Sequence, residues 1–259
     1  MNIQYFYKYR AVNGRLERIL TYSELYFASP SEFNDPFDCK IPVLYRGSDD
    51  DFKNFYWAKL KERYPSYSVE KLNQMADEIL RTSKHRDKDF LKKIETETAQ
   101  GAFSRTGVLC LSEINNDILM WSHYADGHRG ICLEFNASTL QAVFASAFRI
   151  KYQKEYPILN RFTSSDNEEL LDTALLTKSD HWDYEKEWRI IERRGSGWYK
   201  FPEQLLSGVI LGCLIRPDDK IRVMDWLRKR KFPVKLYEAS IKEYEFGIEL
   251  REITTKLII

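Results

Sequence analysis

Apolar and polar residues alternate along several short stretches of this chain, the pattern of half-buried β-strands. The clearest stretch is 187–191, where Trp188 and Ile190 fall on one face of the predicted strand. Glu187 and Arg189 fall on the other face. Further strands are predicted at 3–9, 24–28, 106–112, 131–135, 148–152, 209–212 and 234–239, and 248–259 fits a strand or a helix.

Helical spacing of apolar residues separates these strands. Short helices are predicted around 16–20 and 117–124 and after Asn136, and longer ones at 167–176 and 218–231. The last of these is predicted to turn Ile221, Met224, Trp226 and Leu227 inward. Residues 48–100 contain three helical patterns, the first two beginning at Ser48 and Ser68, which are good helix caps. The chain is therefore predicted to be a single α+β domain, 1–259, with a helical insert at about 48–100.

Composition narrows the function classes. The chain has 259 residues, 43% hydrophobic and 31% charged, which is typical of a soluble globular protein. Its net charge of +1 excludes a global field that attracts nucleic acid or membrane. No signal peptide and no apolar run of bilayer length is present, and the four cysteines form no C-x-x-C pair. We expect a cytoplasmic protein with reduced thiols, no structural metal and no membrane partner.

Polar residues with possible chemistry concentrate near the ends of the predicted elements. The segment 33–38 offers Asn34 and two aspartates, although a turn closed by its own side chains has the same composition. The short helix at 120–124 offers His123 and Tyr124, and the alternative is a histidine satisfied within the core. Lys8 and Arg10 share a face of the first strand and could receive phosphate.

Glu187 also has two interpretations. The charges of its strand either face water on an edge strand or place a carboxylate at a site. Glycine-rich phosphate loops of the Walker type and the G-x-S-x-G pattern of hydrolases are missing from the sequence.

Three separated motifs together resemble the bacterial family called domain of unknown function 2971. The resemblance spans nearly the whole chain but implies no activity. The motifs are Phe33-Asn34-Asp35-Pro36-Phe37-Asp38; Met120-Trp121-Ser122-His123-Tyr124-Ala125 with Gly130; and Trp182, Tyr184, Glu185 and Glu187-Trp188-Arg189.

A second resemblance does imply an activity. The order of strand, short helix and Leu25-Tyr26-Phe27-Ala28 is similar to ADP-ribosyltransferases of the His-Tyr-Glu type, in which Tyr26 would match the tyrosine and Glu187 the glutamate. The first strand departs from that pattern, because Lys8, Tyr9 and Arg10 stand where a histidine is expected. The resemblance implies an ADP-ribosyltransferase-like split mixed or antiparallel sheet, with NAD as co-substrate.

We expect Glu187, Tyr26 and His123 to be catalytic, and Lys8, Tyr9, Arg10, Ser29, Asn34, Tyr124 and Arg189 to bind NAD. Of these, the resemblance itself covers Tyr26, Glu187 and the first-strand position. Breaking the nicotinamide–ribose bond builds positive charge on the ribose, which a preorganised carboxylate stabilises without a metal. The expected function is transfer of ADP-ribose to a macromolecular acceptor, nucleic acid or protein, as in a bacterial toxin or phage-defence effector with an antitoxin partner.

Two alternatives belong to other function classes. A metal-dependent nuclease could use Asp35, Asp38, Glu185 and Glu187 to hold magnesium. A binding module without catalysis could use the aromatic residues as a recognition pocket. The basic residues of the insert, Lys59, Lys61, Arg63, Arg81, Lys84 and Arg86, suggest that the insert selects the acceptor, and the alternative is a solvated helical lid.

Overall fold

A computed structural model describes residues 3–103, 106–137, 146–163 and 167–253. The chain divides into two compact units. The first unit comprises Met1–Asn34, Arg105–Lys154 and Lys178–Ile259, and the second comprises Asp35–Ser104 and Glu155–Thr177. The second unit thus includes the residues predicted as a helical insert together with neighbouring and later residues. No described helix is long and apolar enough to cross a membrane.

The strands and helices have the following bounds. The strands are β1 (Tyr5–Arg10), β2 (Glu24–Phe27), β3 (Val43–Leu44), β4 (Gly107–Ser112), β5 (Ile131–Asn136), β6 (Ala147–Arg149), β7 (Lys151–Gln153), β8 (Leu159–Asn160), β9 (Thr177–Ser179), β10 (Glu187–Glu192), β11 (Gly197–Lys200), β12 (Leu206–Leu211), β13 (Lys235–Ile241) and β14 (Ile248–Glu252). The α-helices are α1 (Gly14–Tyr22), α2 (Asp49–Arg63), α3 (Val69–Thr82), α4 (Lys88–Phe103), α5 (Ile118–Tyr124), α6 (Asn167–Leu176) and α7 (Pro217–Arg228).

The first unit is built on an eight-stranded mixed sheet with the order β14-β13-β12-β5-β1-β4-β10-β6. All neighbouring strands are antiparallel except β12 and β13, which are parallel and are connected through α7. A separate two-stranded sheet pairs β2 with β11. The mixed α+β class predicted from the sequence is confirmed.

The large sheet opens between β1 and β4. Strand β1 pairs with β5 along its whole length but with β4 only at Tyr7 and Ser112. Further along β4, Ala28 replaces β1 as the hydrogen-bonding partner. Ala28 and Val108 exchange two backbone hydrogen bonds, of 2.8 and 2.9 Å. The second half of β1, Lys8 to Arg10, therefore diverges from β4.

Each face of the large sheet carries its own core. The first core contains Leu16 and Leu20 of α1, Trp226 of α7 and, from the sheet, Trp188 and Leu109 among others. Helix α1 covers this core. Its apolar residues recur at helical spacing, so Leu16, Ile19 and Leu20 are all buried on one side of the helix. The second core lies on the opposite face and contains Tyr7, Tyr9, Met120 and Trp121.

Helix caps explain where several helices begin. Asn13 caps α1, Ser48 and Ser68 cap α2 and α3, and Asp117 caps α5, each through its side-chain oxygen. The predicted starts of α2 and α3 are therefore confirmed. In the second unit these two helices pack through Leu60, Leu72 and Ala76.

Two sequence predictions need correction or fall outside the described chain. Ile221, predicted to face inward from α7, is 59% exposed, and Val223 is buried in its place. The helix predicted after Asn136 falls on residues outside the described ranges.

Candidate functional site

Strand β10 carries buried charges on one face and core residues on the other. Trp188 and Ile190 belong to the first core, as the predicted alternation requires. Glu187 and Arg189 on the opposite face are 3% and 0% exposed. The interpretation that these charges face water is therefore wrong. Burying a charge costs free energy unless the charge is paired, so Glu187 and Arg189 need buried ionic or hydrogen-bonding partners.

Lys178, in β9, joins two carboxylates. Its ammonium nitrogen lies 2.6 Å from Oε2 of Glu185 and 3.0 Å from Oε2 of Glu187. Arg189 binds Glu187 through two contacts, Nε to Oε1 at 2.8 Å and Nη2 to Oε2 at 3.1 Å. We call these four residues the charge cluster. Its formal charges balance, which lowers the cost of burying them.

Glu187 is held on both oxygens. Besides its bonds with Arg189 and Lys178, it receives a hydrogen bond from the thiol of Cys110. Burial alone would raise the pKa of Glu187, but Arg189 and Lys178 outweigh it and hold that pKa well below its usual value. Glu187 is thus a carboxylate with donors on both oxygens, supplied by three side chains.

Glu185 is less enclosed by donors. It accepts one hydrogen bond from Lys178 and one of 2.6 Å from the Tyr124 hydroxyl, on different oxygens. Burial raises the pKa of Glu185, and the charge of Lys178 offsets part of that rise. Its backbone carbonyl accepts a hydrogen bond of 2.6 Å from Ser112, which fixes the segment before β10. Each carboxylate oxygen of Glu185 therefore has a further lone-pair position for a ligand.

Four partly or fully exposed rings lie beside Glu185. His123 of α5 is exposed, and its ring centroid is 6.2 Å from Tyr124, 6.3 Å from Trp182 and 6.4 Å from Tyr184. Lys178 lies 5.1 Å from the centroid of the Trp182 ring, a cation–π contact. We call His123, Tyr124, Trp182 and Tyr184 the ring cluster. It joins the charge cluster to the protein surface.

Lys8 lies on the other side of Cys110. Its ammonium donates 2.6 Å to the Cys110 carbonyl, at the opening between β1 and β4. Burial, followed by the charge of Arg10, lowers the pKa of Lys8 to about 7. Cys110 thus contacts both Lys8 of the first strand, through its carbonyl, and Glu187, through its thiol.

Arg10 and Tyr9 differ in their surroundings. Burial, followed by the charge of Arg15, lowers the pKa of Arg10 to about 10, and its buried Nε has no hydrogen-bond partner among the described residues. Tyr9 donates to the Ile114 carbonyl and packs edge-on against Trp121. Tyr9 is therefore a core residue in this structure, whereas Arg10 keeps an unused donor.

The contacts of Tyr26 with the described residues involve neither the charge cluster nor the ring cluster. Its neighbours on β2, Leu25 and Phe27, point into the first core, so Tyr26 points away from it, whereas Glu187 lies on the opposite face of the large sheet. The Tyr26 hydroxyl donates 3.0 Å to Glu32, and its ring packs against Trp198. None of these contacts of Tyr26 is with Glu187 or another residue of the charge cluster.

The remaining predicted residues have local roles. Ser29 caps the short 3-10 helix Pro30–Glu32 in a reciprocal arrangement with Glu32, and Asn34 is exposed. The ring of Phe33, the residue before Asn34, has its centroid 5.2 Å from the Arg189 guanidinium and covers it.

The structure adds two residues that sequence reasoning did not assign. One is Lys178, which bridges the two glutamates. The other is Tyr152, whose hydroxyl accepts a hydrogen bond of 2.8 Å from the Glu187 amide. Two buried glutamates that lie two residues apart need a cation nearby. The spacing of Glu185 and Glu187 could therefore have indicated a basic partner such as Lys178.

The magnesium alternative finds no support in the geometry. Among the described residues, no three His, Cys, Asp or Glu side chains gather in an arrangement that could hold a metal ion. Between Glu185 and Glu187 the ammonium of Lys178 occupies the position that a cation would take. Asp35 accepts from the Phe37 amide at 2.9 Å and Asp38 from the Cys39 thiol, as in a turn closed by its own side chains.

Comparison with known proteins identifies one family model. Residues 120–190 match the model described as a protein of unknown function, DUF2971. The match supports the first resemblance seen in the sequence and spans α5 to β10, which contain both the ring cluster and the charge cluster. No curated protein and no solved structure matches the chain.

Proposed function

We propose that the protein transfers ADP-ribose from NAD to a macromolecular acceptor at the ring and charge clusters. The observation that carries this proposal is Glu185: a buried carboxylate with one hydrogen bond on each oxygen, beside surface rings. Transfer breaks the bond between ribose C1′ and the nicotinamide nitrogen. The bonding electrons pass to nicotinamide, and the acceptor bonds to C1′ and loses a proton.

The residues fit the demands of such a donor. An aromatic surface can hold the nicotinamide ring, and His123, Trp182 and Tyr184 provide one. Lys178 is shared between two carboxylates, and its charge offsets part of the pKa rise that burial causes at Glu185. In this proposal the Glu185 carboxylate stabilises the positive charge that develops on the ribose. Tyr124 orients that carboxylate through its hydroxyl.

Glu187 has a positioning role in this proposal. Its oxygens are already bound to Arg189, Lys178 and Cys110, so a substrate would have to displace a buried partner to reach them. By holding Lys178, Glu187 fixes the cation that orients Glu185. This assignment gives Glu185 the catalytic role that the sequence analysis expected of Glu187.

The first strand contributes less to this proposal. Lys8 lies beside Cys110 at the opening between β1 and β4. Arg10 shares the face of β1 that carries Phe6 of the first core and lies close to Arg15 of α1, so we assign it no role at the two clusters.

The test uses purified protein with NAD labelled in the adenylate, alone and with a bacterial lysate. We expect nicotinamide release and transfer of the label to macromolecules. Protease and nuclease digestion of the labelled products then identifies the acceptor as protein or nucleic acid. Absence of nicotinamide release, with or without lysate, would contradict the proposal.

A further inference from the structure

Strand β14 lies at one edge of the large sheet. It pairs with β13 on one side, in an uninterrupted antiparallel register from Tyr237–Glu252 to Ile241–Ile248. Its other side faces no described strand. Backbone groups on such an edge can pair with another strand, and β14 contains no proline, glycine or bulge that would prevent it.

Apolar side chains lie exposed beside this edge. In the hairpin that joins β13 to β14, Tyr244 is 90% exposed and Phe246 is fully exposed. Ile241, at the end of β13, is 65% exposed. Large apolar side chains clustered in this way indicate a contact surface.

Strand β14 carries one negative and one positive side chain that can pair with those of a second, antiparallel β14. Glu249 and Arg251 are both exposed and share one face of the strand. We propose that a second copy of the chain pairs antiparallel with β14 about a two-fold axis at Leu250. In this register Glu249 lies directly opposite Arg251 of the second copy, and the same pair forms again by symmetry.

The other face of the strand suits the same register. Leu250, which is partly buried against the second core, meets Leu250 of the second copy. The charged face is also held in place within each chain, since Ser240 donates to Glu249 at 3.2 Å and Arg251 lies 3.6 Å from Glu238. This inference does not depend on the proposed enzymatic function.

Charge reversal on the full-length chain tests the pairing. Sedimentation velocity at protein concentrations up to about 100 µM should give a mass near twice the 30.8 kDa of one chain. Glu249→Arg places two arginines opposite each other and should weaken dimerisation at least about tenfold. Combining Glu249→Arg with Arg251→Glu exchanges the charges and should restore the dimer to within about threefold.

Thermal melting of each variant shows that its fold is intact. A wild-type protein that stays monomeric over this concentration range would overturn the proposal. So would a folded single variant that dimerises like the wild type, or a folded double variant that stays dissociated.

Discussion

The Tyr124 hydroxyl donates a hydrogen bond of 2.6 Å to Oε1 of Glu185, 61 residues further along the chain. It connects the ring cluster to the charge cluster. Tyr124→Phe keeps the ring and removes this bond, so we expect unfolding free energy to fall by about 1.5–3 kcal/mol in urea denaturation. Tyr184→Phe is the matched control, because its hydroxyl has no described hydrogen bond. Equal stability of the two variants would mean that the bond contributes nothing.

Glu187→Gln should destabilise the fold strongly. Arg189 is fully buried and would lose its ionic partner, at a cost of about 3–5 kcal/mol. Glu192→Gln lies on the same strand but pairs with Arg194, which is 73% exposed, and should change stability by less than about 1 kcal/mol. Urea denaturation of both variants measures the difference. If the two substitutions lower the unfolding free energy by similar amounts, the ion pair of Glu187 with Arg189 does not stabilise the fold.

The sequence predicted the elements better than it predicted the site. The two-residue alternation of β10 was visible, because Trp188 and Ile190 are large apolar residues between charges. The partners of those charges were not visible: Tyr124 and Lys178 lie on other elements, and only tertiary packing brings them together. Tyr26 shows the same limit. Its motif resembled a known pattern, but burial of Leu25 and Phe27 determines that Tyr26 faces away.

Lys8 should make stability depend on alkaline pH. The pKa of Lys8 is lowered from 10.5 to about 7, so between these values the unfolded chain binds the proton that the folded chain has lost. Stability therefore rises with pH across this window, by up to a few kcal/mol. Below the window Lys8 is protonated in both states and contributes no pH dependence. The difference between wild type and Lys8→Met in urea denaturation at several pH values isolates this contribution. A difference that stays constant from pH 7 to 10.5 would contradict the lowered pKa.

Tyr26→Phe should leave catalysis unchanged. Its hydroxyl contacts Glu32, away from the charge cluster, so nicotinamide release should stay within about twofold of wild type. Stability should fall by less than about 1 kcal/mol, because the lost bond is exposed. Loss of turnover in a folded Tyr26→Phe protein would restore the role implied by the His-Tyr-Glu resemblance and place the site on the other side of the sheet.

Nicotinamide release by Glu185→Gln tests the proposed role of Glu185 most directly. Glutamine keeps the size and an oxygen acceptor for Tyr124 but removes the charge that faces the ribose, so release should fall about 100-fold or more. Glu192→Gln, the control on β10, should stay within about twofold of wild type. Melting curves establish that both variants are folded. Wild-type turnover by a folded Glu185→Gln protein would contradict the assignment of Glu185 as the residue that contacts the ribose.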